Sequence, residues 1–193
     1  MTKNIIRYAV FDAIESGNPN SNRGYYGNNR WSVSNIRQWL NSDSTGSWFT
    51  AQYTYNAPPT SEKIHGTNGT YADKPGFLAG FSSEVIQHLT EITNTTALCS
   101  LDGGGSETTV DKVFLPSYTE MGFGSNNGIA EGSQLSKFTS DASRIKSGQG
   151  TSYWLRSLCF NCDCSVEYVN DNGSSAFIAA CNGFGIAPII VLH

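Results

Sequence analysis

Apolar positions along this chain come in short bursts separated by long polar stretches, and each burst carries its own period. Arg7-Tyr8-Ala9-Val10-Phe11-Asp12-Ala13-Ile14 is apolar and β-prone and reads as an opening strand. Ser16 to Arg30, rich in Gly and Asn, reads as a loop. Ser34 is placed to cap a helix running through Asn41, with Ile36, Trp39 and Leu40 as its buried stripe. Residues 42–80 carry Pro58-Pro59, Lys74-Pro75-Gly76 and several glycines, and predict a long irregular segment packed on the body. A second helix starts after Ser82, with Val85, Ile86 and Leu89 as its apolar face.

Downstream, Thr93 to Ala97 reads as a strand and Leu101-Asp102-Gly103-Gly104-Gly105 as a turn. Asp111 to Ser117 reads as a strand leading into a short capped helix from Ser117 to Met121. Ser133 to Ile145 has a weak helical pattern, and Ser147-Gly148-Gln149-Gly150 is a glycine-rich approach to the last segment. That segment predicts four short strands, Ser152 to Arg156, Ser165 to Val169, Ser175 to Ala180 and Ile186 to Leu192. Asn170-Asp171-Asn172-Gly173 supplies a hairpin turn of the Asn-Gly kind. Two patterned frames, Tyr153-Trp154-Leu155-Arg156-Ser157 and Gly183-Phe184-Gly185-Ile186-Ala187-Pro188, bracket this region. Between them, Leu158-Cys159-Phe160-Asn161-Cys162-Asp163-Cys164-Ser165 follows no helix or strand rule. A regular frame around unpatterned residues suggests a backbone that is held while its side chains are free to change.

Composition narrows the picture. The 193 residues fit one domain with a real core. Charged residues make up 15%, against about 25% in an average globular protein, so the surface is built from Ser, Thr, Asn and Gly. With 12% aromatics, this resembles the make-up of binding loops. A formal charge of −4 without a Lys/Arg cluster argues against nucleic acid as a partner. No apolar run is long enough for a membrane span, and Met1-Thr2-Lys3-Asn4-Ile5-Ile6-Arg7 has no signal-peptide h-region, so membrane insertion and export are not expected.

Candidate chemistry is sparse. Cys159-x-x-Cys162-x-Cys164 with Cys181 offers four sulfurs to a tetrahedral zinc, but three of them crowd one short segment where structural sites use two separated pairs. The expectation is therefore no metal and no other cofactor. Without an export signal a structural disulfide framework is not the default either. His65, His88 and His193 are scattered with no visible nucleophile beside them, and the glutamates show no paired spacing. Gly103-Gly104-Gly105 lacks the Lys-Ser/Thr of a phosphate-binding loop. Trp39 and Trp154 read as core, and Trp31 and Trp48 as a buried rim. The pattern favours a binding protein over an enzyme.

Several blocks carry a resemblance. Ser34-Asn35-Ile36-Arg37-Gln38-Trp39-Leu40-Asn41, Pro75-Gly76-Phe77-Leu78-Ala79-Gly80-Phe81-Ser82, Val113-Phe114-Leu115-Pro116-Ser117, Asn127-Gly128-Ile129-Ala130-Glu131-Gly132-Ser133 and Trp154-Leu155-Arg156-Ser157 resemble, in this order, a phage-associated family of unknown function widespread in Firmicutes. The C-terminal frames are also similar to the variable region of C-type-lectin-fold proteins diversified by retroelements, where a Gly-Val-Arg-Pro block closes the region. Here Gly185-Ile186-Ala187-Pro188 stands in its place, without the arginine. All eight residues from Leu158 to Ser165 belong to the set that adenine-directed mutagenesis of Asn codons reaches, which excludes Lys, Glu, Gln, Met and Trp.

The resemblance implies an α+β, C-type-lectin-like fold: two main helices packed on small, mostly antiparallel sheets with long irregular loops. It implies a single domain over 1–193, with 153–193 as a variable region, displayed on a phage virion (tail or capsid surface) for attachment to a bacterial host receptor, protein or glycan, among other virion proteins. A homotrimer is what that function class suggests. The contact surface is expected from Leu158, Cys159, Phe160, Asn161, Cys162, Asp163, Cys164, Ser165, Tyr168, Asn170, Asp171, Ser174, Phe177, Ala179, Cys181, Asn182 and Phe184. Strand alternation should turn about half of these inward. The alternatives are a structural decoration of capsid or tail, a cysteine-rich metal site, or an enzyme like those that generate formylglycine, for which Cys159 and Cys164 have the cysteine spacing.

Overall fold

Five strands gather into one twisted sheet that organises the molecule. A computed structural model describes residues 4–148 and 152–193, so Met1–Lys3 and the Gln149-Gly150 part of the glycine-rich approach lie outside the described residues. In the main sheet β2 (Arg7–Val10), β10 (Gly183–Ile186), β7 (Tyr153–Leu158), β8 (Ser165–Val169) and β9 (Ser175–Ala179) lie side by side in that order. β10 runs antiparallel to β2 and parallel to β7, so the chain's beginning and end are hydrogen-bonded together. Three two-stranded pairs surround it: β1 (Asn4–Ile5) with β6 (Ser147–Gly148), β3 (Ile92–Ala97) with β4 (Ser106–Asp111), and β5 (Val113–Phe114) with β11 (Ile189–Ile190). The whole is mixed α+β, mostly sheet, with short helices only.

The helices are α1 (Ser21–Tyr26), α2 (Asn35–Leu40), α3 (Ser83–Gln87) and α4 (Asp141–Arg144). α2 and α3 start where their caps predict, since Ser34 Oγ accepts from Arg37 N–H and Ser82 Oγ from Val85 N–H. α2 buries Ile36, Trp39 and Leu40 as its stripe requires. α3 ends at Gln87 and none of its own residues is fully buried; Ile86 packs half-buried against the core, and Leu89, just beyond the helix, is buried in it. No pair of long helices dominates the molecule.

Other expectations are corrected. The 16–30 loop contains α1, whose low-propensity residues are organised by Asn20, which accepts from Arg23 N–H, and by Gly27, which donates to the Arg23 carbonyl. Residues 117–121 form a turn, and the weak helix over 133–145 shrinks to the four residues of α4. The last strand breaks at Ala187-Pro188 into β10 and β11, which serve different sheets. In the β8–β9 hairpin only Gly173 has positive φ (+87°), so the connection is a five-residue loop with a left-handed glycine; a two-residue Asn-Gly turn would need two such residues.

Trp154 lies at the centre of the core, wholly buried, with its indole N–H donating to the Ala9 carbonyl at 2.8 Å. Phe11, Tyr168 and Phe184 ring it at centroid distances of 6.0, 6.3 and 5.1 Å. Trp31, Trp39 and Trp48 are also buried in this core. A second cluster on the other side of the sheet joins Ile5, Met121, Phe138, Tyr153, Leu155 and Val169. Ala187 belongs to it and is fully buried, an apolar core position just before Pro188.

The β3–β4 hairpin is tied to the body by ion pairs. Arg30 pairs with Glu107 at 2.6 Å and Arg37 with Asp111 at 2.6 Å, while Arg23 holds Asp102 at 2.5 Å in the turn between the strands. Asp111 also accepts from Trp31 Nε1, Thr109 Oγ1 and Asn94 Nδ2, so its buried charge is fully solvated by protein.

Candidate ligand-binding face

Several of the patterned blocks of the sequence knit the frame. Arg156, on β7, is almost fully buried and forks onto Glu120 with Nη1–Oε2 and Nη2–Oε1 distances of 2.7 and 2.8 Å. The same guanidinium donates to the Leu115 and Glu131 carbonyls. Ser117 Oγ donates to the Glu131 carbonyl, and Ser157 Oγ to the Glu131 carboxylate. Three separate motifs thus close on one buried guanidinium. A similar junction joins α2 to the opening strand, where the Asp12 carboxylate accepts from Asn28 N–H and Asn35 N–H and Asn35 Oδ1 accepts from Ala13 N–H. Burial pushes the Asp12 carboxyl well above its ordinary range, and the Glu15 charge adds to it.

The frame glycines are needed for close approach. A Cβ on Gly183 would lie 2.1 Å from the Asn68 carbonyl oxygen. One on Gly185 would lie 2.6 Å from Ile5 Cγ2 and 2.7 Å from the Ser152 carbonyl oxygen.

On this frame the segment after β7 makes a tight loop. Cys159 and Cys162 are bonded to each other, closing a four-residue ring that lifts Phe160 and Asn161 to its tip. Phe160 is 61% exposed, and Asn161 takes a left-handed backbone with φ +57°. Asp163 is fastened to α1: its carboxylate accepts from Asn20 Nδ2 at 2.8 Å and Asn22 Nδ2 at 3.1 Å, and its carbonyl from Arg23 Nε at 2.9 Å. Asn29 Nδ2 donates to the Cys162 and Ser165 carbonyls. The loop has no helix or strand of its own and is held by side chains from far upstream.

The seventeen expected contact residues do not form one face. Leu158, Cys159 and Cys181 are buried, Leu158 against Ala97, Cys99 and Ile129, so these three present nothing to a ligand. Tyr168 and Phe184 turn inward against each other (centroids 4.4 Å) and against Trp154, because they share the core-facing parity of their strands. Phe177 has the opposite parity and is 59% exposed.

The others divide between the two ends of the β8–β9 pair. Phe160, Asn161, Cys162, Asp163, Cys164, Ser165, Ala179 and Asn182 gather at one end, where Ala180 N–H donates to the Cys164 carbonyl. Asn170, Asp171 and Ser174 lie at the hairpin end, where Gly173 packs on Asp141 of α4. A five-residue strand separates the two groups by roughly 16 Å. They cannot contact one small ligand together.

Residues outside the expected set complete the first end. Tyr25 and Tyr26 of α1 and His65 form an aromatic trio with centroid separations of 4.9, 5.0 and 5.6 Å. The trio is fixed to the connection between β9 and β10 by backbone bonds, Cys181 N–H to the Tyr26 carbonyl and His65 N–H to the Cys181 carbonyl. The sequence signal for it was the Tyr25-Tyr26 pair inside a polar Gly/Asn stretch, where no core pattern accounts for two adjacent aromatics.

The free thiols are held in their protonated form by burial. Burial pushes the Cys181 thiol up to about 12 and raises those of Cys99 and Cys164. Cys159 is bonded to Cys162, and Cys164 is a free thiol. Among the described residues no three His, Cys, Asp or Glu side chains are grouped to hold a metal ion. One titratable group is unusual: Glu167, 9% exposed and without a hydrogen-bond partner among the described residues, has its carboxyl raised to about 7 by burial and by the charge of Glu131.

A mostly-sheet α+β domain with an aromatic and amide-rich end is therefore the class these features define. The chain belongs to the family described as a domain of unknown function (DUF6273), whose match covers residues 1–193. No curated protein and no solved structure matches it. Among the described residues no helix is long and apolar enough to cross a membrane.

Proposed function

We propose that this is a C-type-lectin-like binding domain carried on a phage virion, which attaches to a bacterial surface through the end of its main sheet. The observation that carries this reading is the contrast within the last forty residues. Trp154, Arg156, Gly183 and Gly185 are fixed by buried hydrogen bonds and close backbone packing, while Phe160 and Asn161 stand exposed on a short ring between them. Interface energy comes from a few aromatic anchors on a rigid support, which is what this arrangement offers. The small, mostly antiparallel sheets and long irregular stretches support a C-type-lectin-like reading, although the helices are four short ones where that reading expects two main helices.

The proposal includes diversification of the 158–165 segment by a retroelement. The structure narrows which changes would be useful, since substitutions at Leu158, Cys159 and Cys181 would alter packing and those at Phe160, Asn161 and Asp163 would alter the surface. Host-cell binding of the fluorescently labelled domain, measured by flow cytometry, tests the attachment role. Cell binding that is lost in Phe160→Ala, with its melting temperature unchanged, is the expected result. A domain that decorates virions by immunolabelling but binds no host cell would make it a structural decoration. A coding segment that is invariant among sibling phages would remove diversification.

A further inference from the structure

We infer a second contact element beside the variable loop, a neutral-glycan site built on Tyr25, Tyr26 and His65. It rests on the attachment reading above and names the ligand's chemical class. Tyr25 is 60% and Tyr26 37% exposed, although both belong to a helix whose Arg23 is buried. The three rings pack edge to face, with interplanar angles of 84°, 65° and 86°, so each supports its neighbours and the outer faces are held without help from core residues. Such a rigid aromatic corner has the size of one or two sugar rings. The C–H face of a pyranose stacks on such a surface at low ordering cost.

The rim supplies the polar half of the recognition. Asn22, one turn ahead of Tyr25 and Tyr26 on α1, lies on their side of the helix and is paired to the Asp163 carboxylate. On the other flank the Asn182 backbone forms a β-bridge with His65, and its side-chain amide donates to the Ala179 carbonyl, leaving Oδ1 as the acceptor on the rim. Planar amide and carboxylate groups beside an aromatic surface suit the paired hydroxyls of a sugar.

Charge selects against other ligands. Arg23 is consumed by Asp102 and the Asp163 carbonyl, and Lys63 Nζ donates to Ser16 Oγ. Arg23, the one guanidinium on α1, is therefore not free for a phosphate or carboxylate, and Asp163 repels one; Lys63 keeps its positive charge beside the neutral Ser16 hydroxyl and is what the anionic control addresses. The small area and the amide-rich rim favour a glycan over a protein, whose binding would call for a larger apolar centre.

A printed array of neutral oligosaccharides, covering gluco, galacto, manno, rhamno and N-acetylhexosamine pyranoses with a glycerol-phosphate polymer as the anionic control, tests the site with the whole chain. Binding to one or more neutral glycans is expected. For the best of them, saturation-transfer NMR should show contact to the sugar ring protons. Tyr25→Ala and Tyr26→Ala should each weaken binding at least tenfold, whereas Tyr25→Phe stays within about threefold because the stacking face is kept. Unchanged melting temperatures exclude misfolding, and Val110→Ala, an exposed apolar position on β4, serves as a surface control with unchanged binding. No neutral glycan bound, glycan binding indifferent to both Tyr→Ala variants, or preference for the phosphate polymer would each overturn the inference. Capture of a purified host protein that depends on Tyr25 and Tyr26 in the absence of glycan would assign the surface to a protein instead. If the wild-type domain binds host cells and Tyr25→Ala binds them equally, the attachment reading stands and the glycan site falls. If a glycan binds through these tyrosines and no cell does, the reverse holds.

Discussion

Arg156 shows how much a single side chain can decide in this domain. Its guanidinium is buried against Glu120 and two carbonyls, so Arg156→Met would strand the Glu120 carboxylate in a nearly closed site. Breaking one partner of a buried pair costs about 3–5 kcal/mol, and urea denaturation of that variant should show a loss of this order with no change in slope. Glu167 behaves in the opposite sense. Its folded-state carboxyl is raised to about 7, so the folded form is favoured while it is protonated, and that advantage fades as pH rises from the ordinary glutamate range through 7. Glu167→Gln should therefore be near neutral for stability at pH 4 and more stable than wild type at pH 8, by roughly 1 kcal/mol after allowance for solvent screening. A melting-temperature series against pH for the two proteins measures it. The thiols supply a third check at this scale. In the native protein, iodoacetamide should label Cys164 slowly and leave Cys99 and Cys181 unlabelled until unfolding, with Cys159 and Cys162 recovered as one non-reduced peptide.

At the scale of elements, β10 illustrates packing that sequence period alone does not reveal. Gly183-Phe184-Gly185-Ile186 reads as a weak strand by propensity, yet it lies between β2 and β7, where both glycines let neighbouring backbone come close. Gly185→Ala forces its methyl against Ile5 and the Ser152 carbonyl and should cost about 1–3 kcal/mol, read from the denaturation midpoint. The tight loop after β7 tolerates the opposite change. Asn161 already holds φ +57°, so Asn161→Gly should leave stability unchanged or slightly raised while weakening any ligand contact made by its amide. The helices show where local signals are strong and where they are weak. α2 was legible from its cap and stripe, because Ser34, Ile36, Trp39 and Leu40 carry their message within eight residues. α1 was not, because Ser21-Asn22-Arg23-Gly24-Tyr25-Tyr26 has no apolar stripe; it is stabilised by Arg23 reaching Asp102, Cys99 and the Asp163 carbonyl.

The whole molecule is a closed frame with long-range ties. Residues near the start pair with residues near the end through β2 and β10, and the β3–β4 hairpin is anchored by arginines 30 and 37. Asp111→Ala, at the centre of that anchor, is expected to loosen the hairpin and to raise hydrogen exchange across 92–111 more than in the main sheet. The frame motifs were legible in the sequence as a fold, since Trp154, Leu40 and Ile36 follow burial periods that any chain must satisfy. Strand alternation turns Tyr168 and Phe184 against the core and Phe177 to the surface. Composition and local pattern thus determined an α+β domain with a rigid C-terminal scaffold, because propensity, caps and hydrophobic period act within a few residues. Only the tertiary structure decided which residues meet. It separated Asn170, Asp171 and Ser174 from the Phe160 end, and brought Tyr25, Tyr26 and His65 beside Asp163 and Asn182, since contacts between residues more than a hundred positions apart are set by strand register and buried ion pairs rather than by any local pattern.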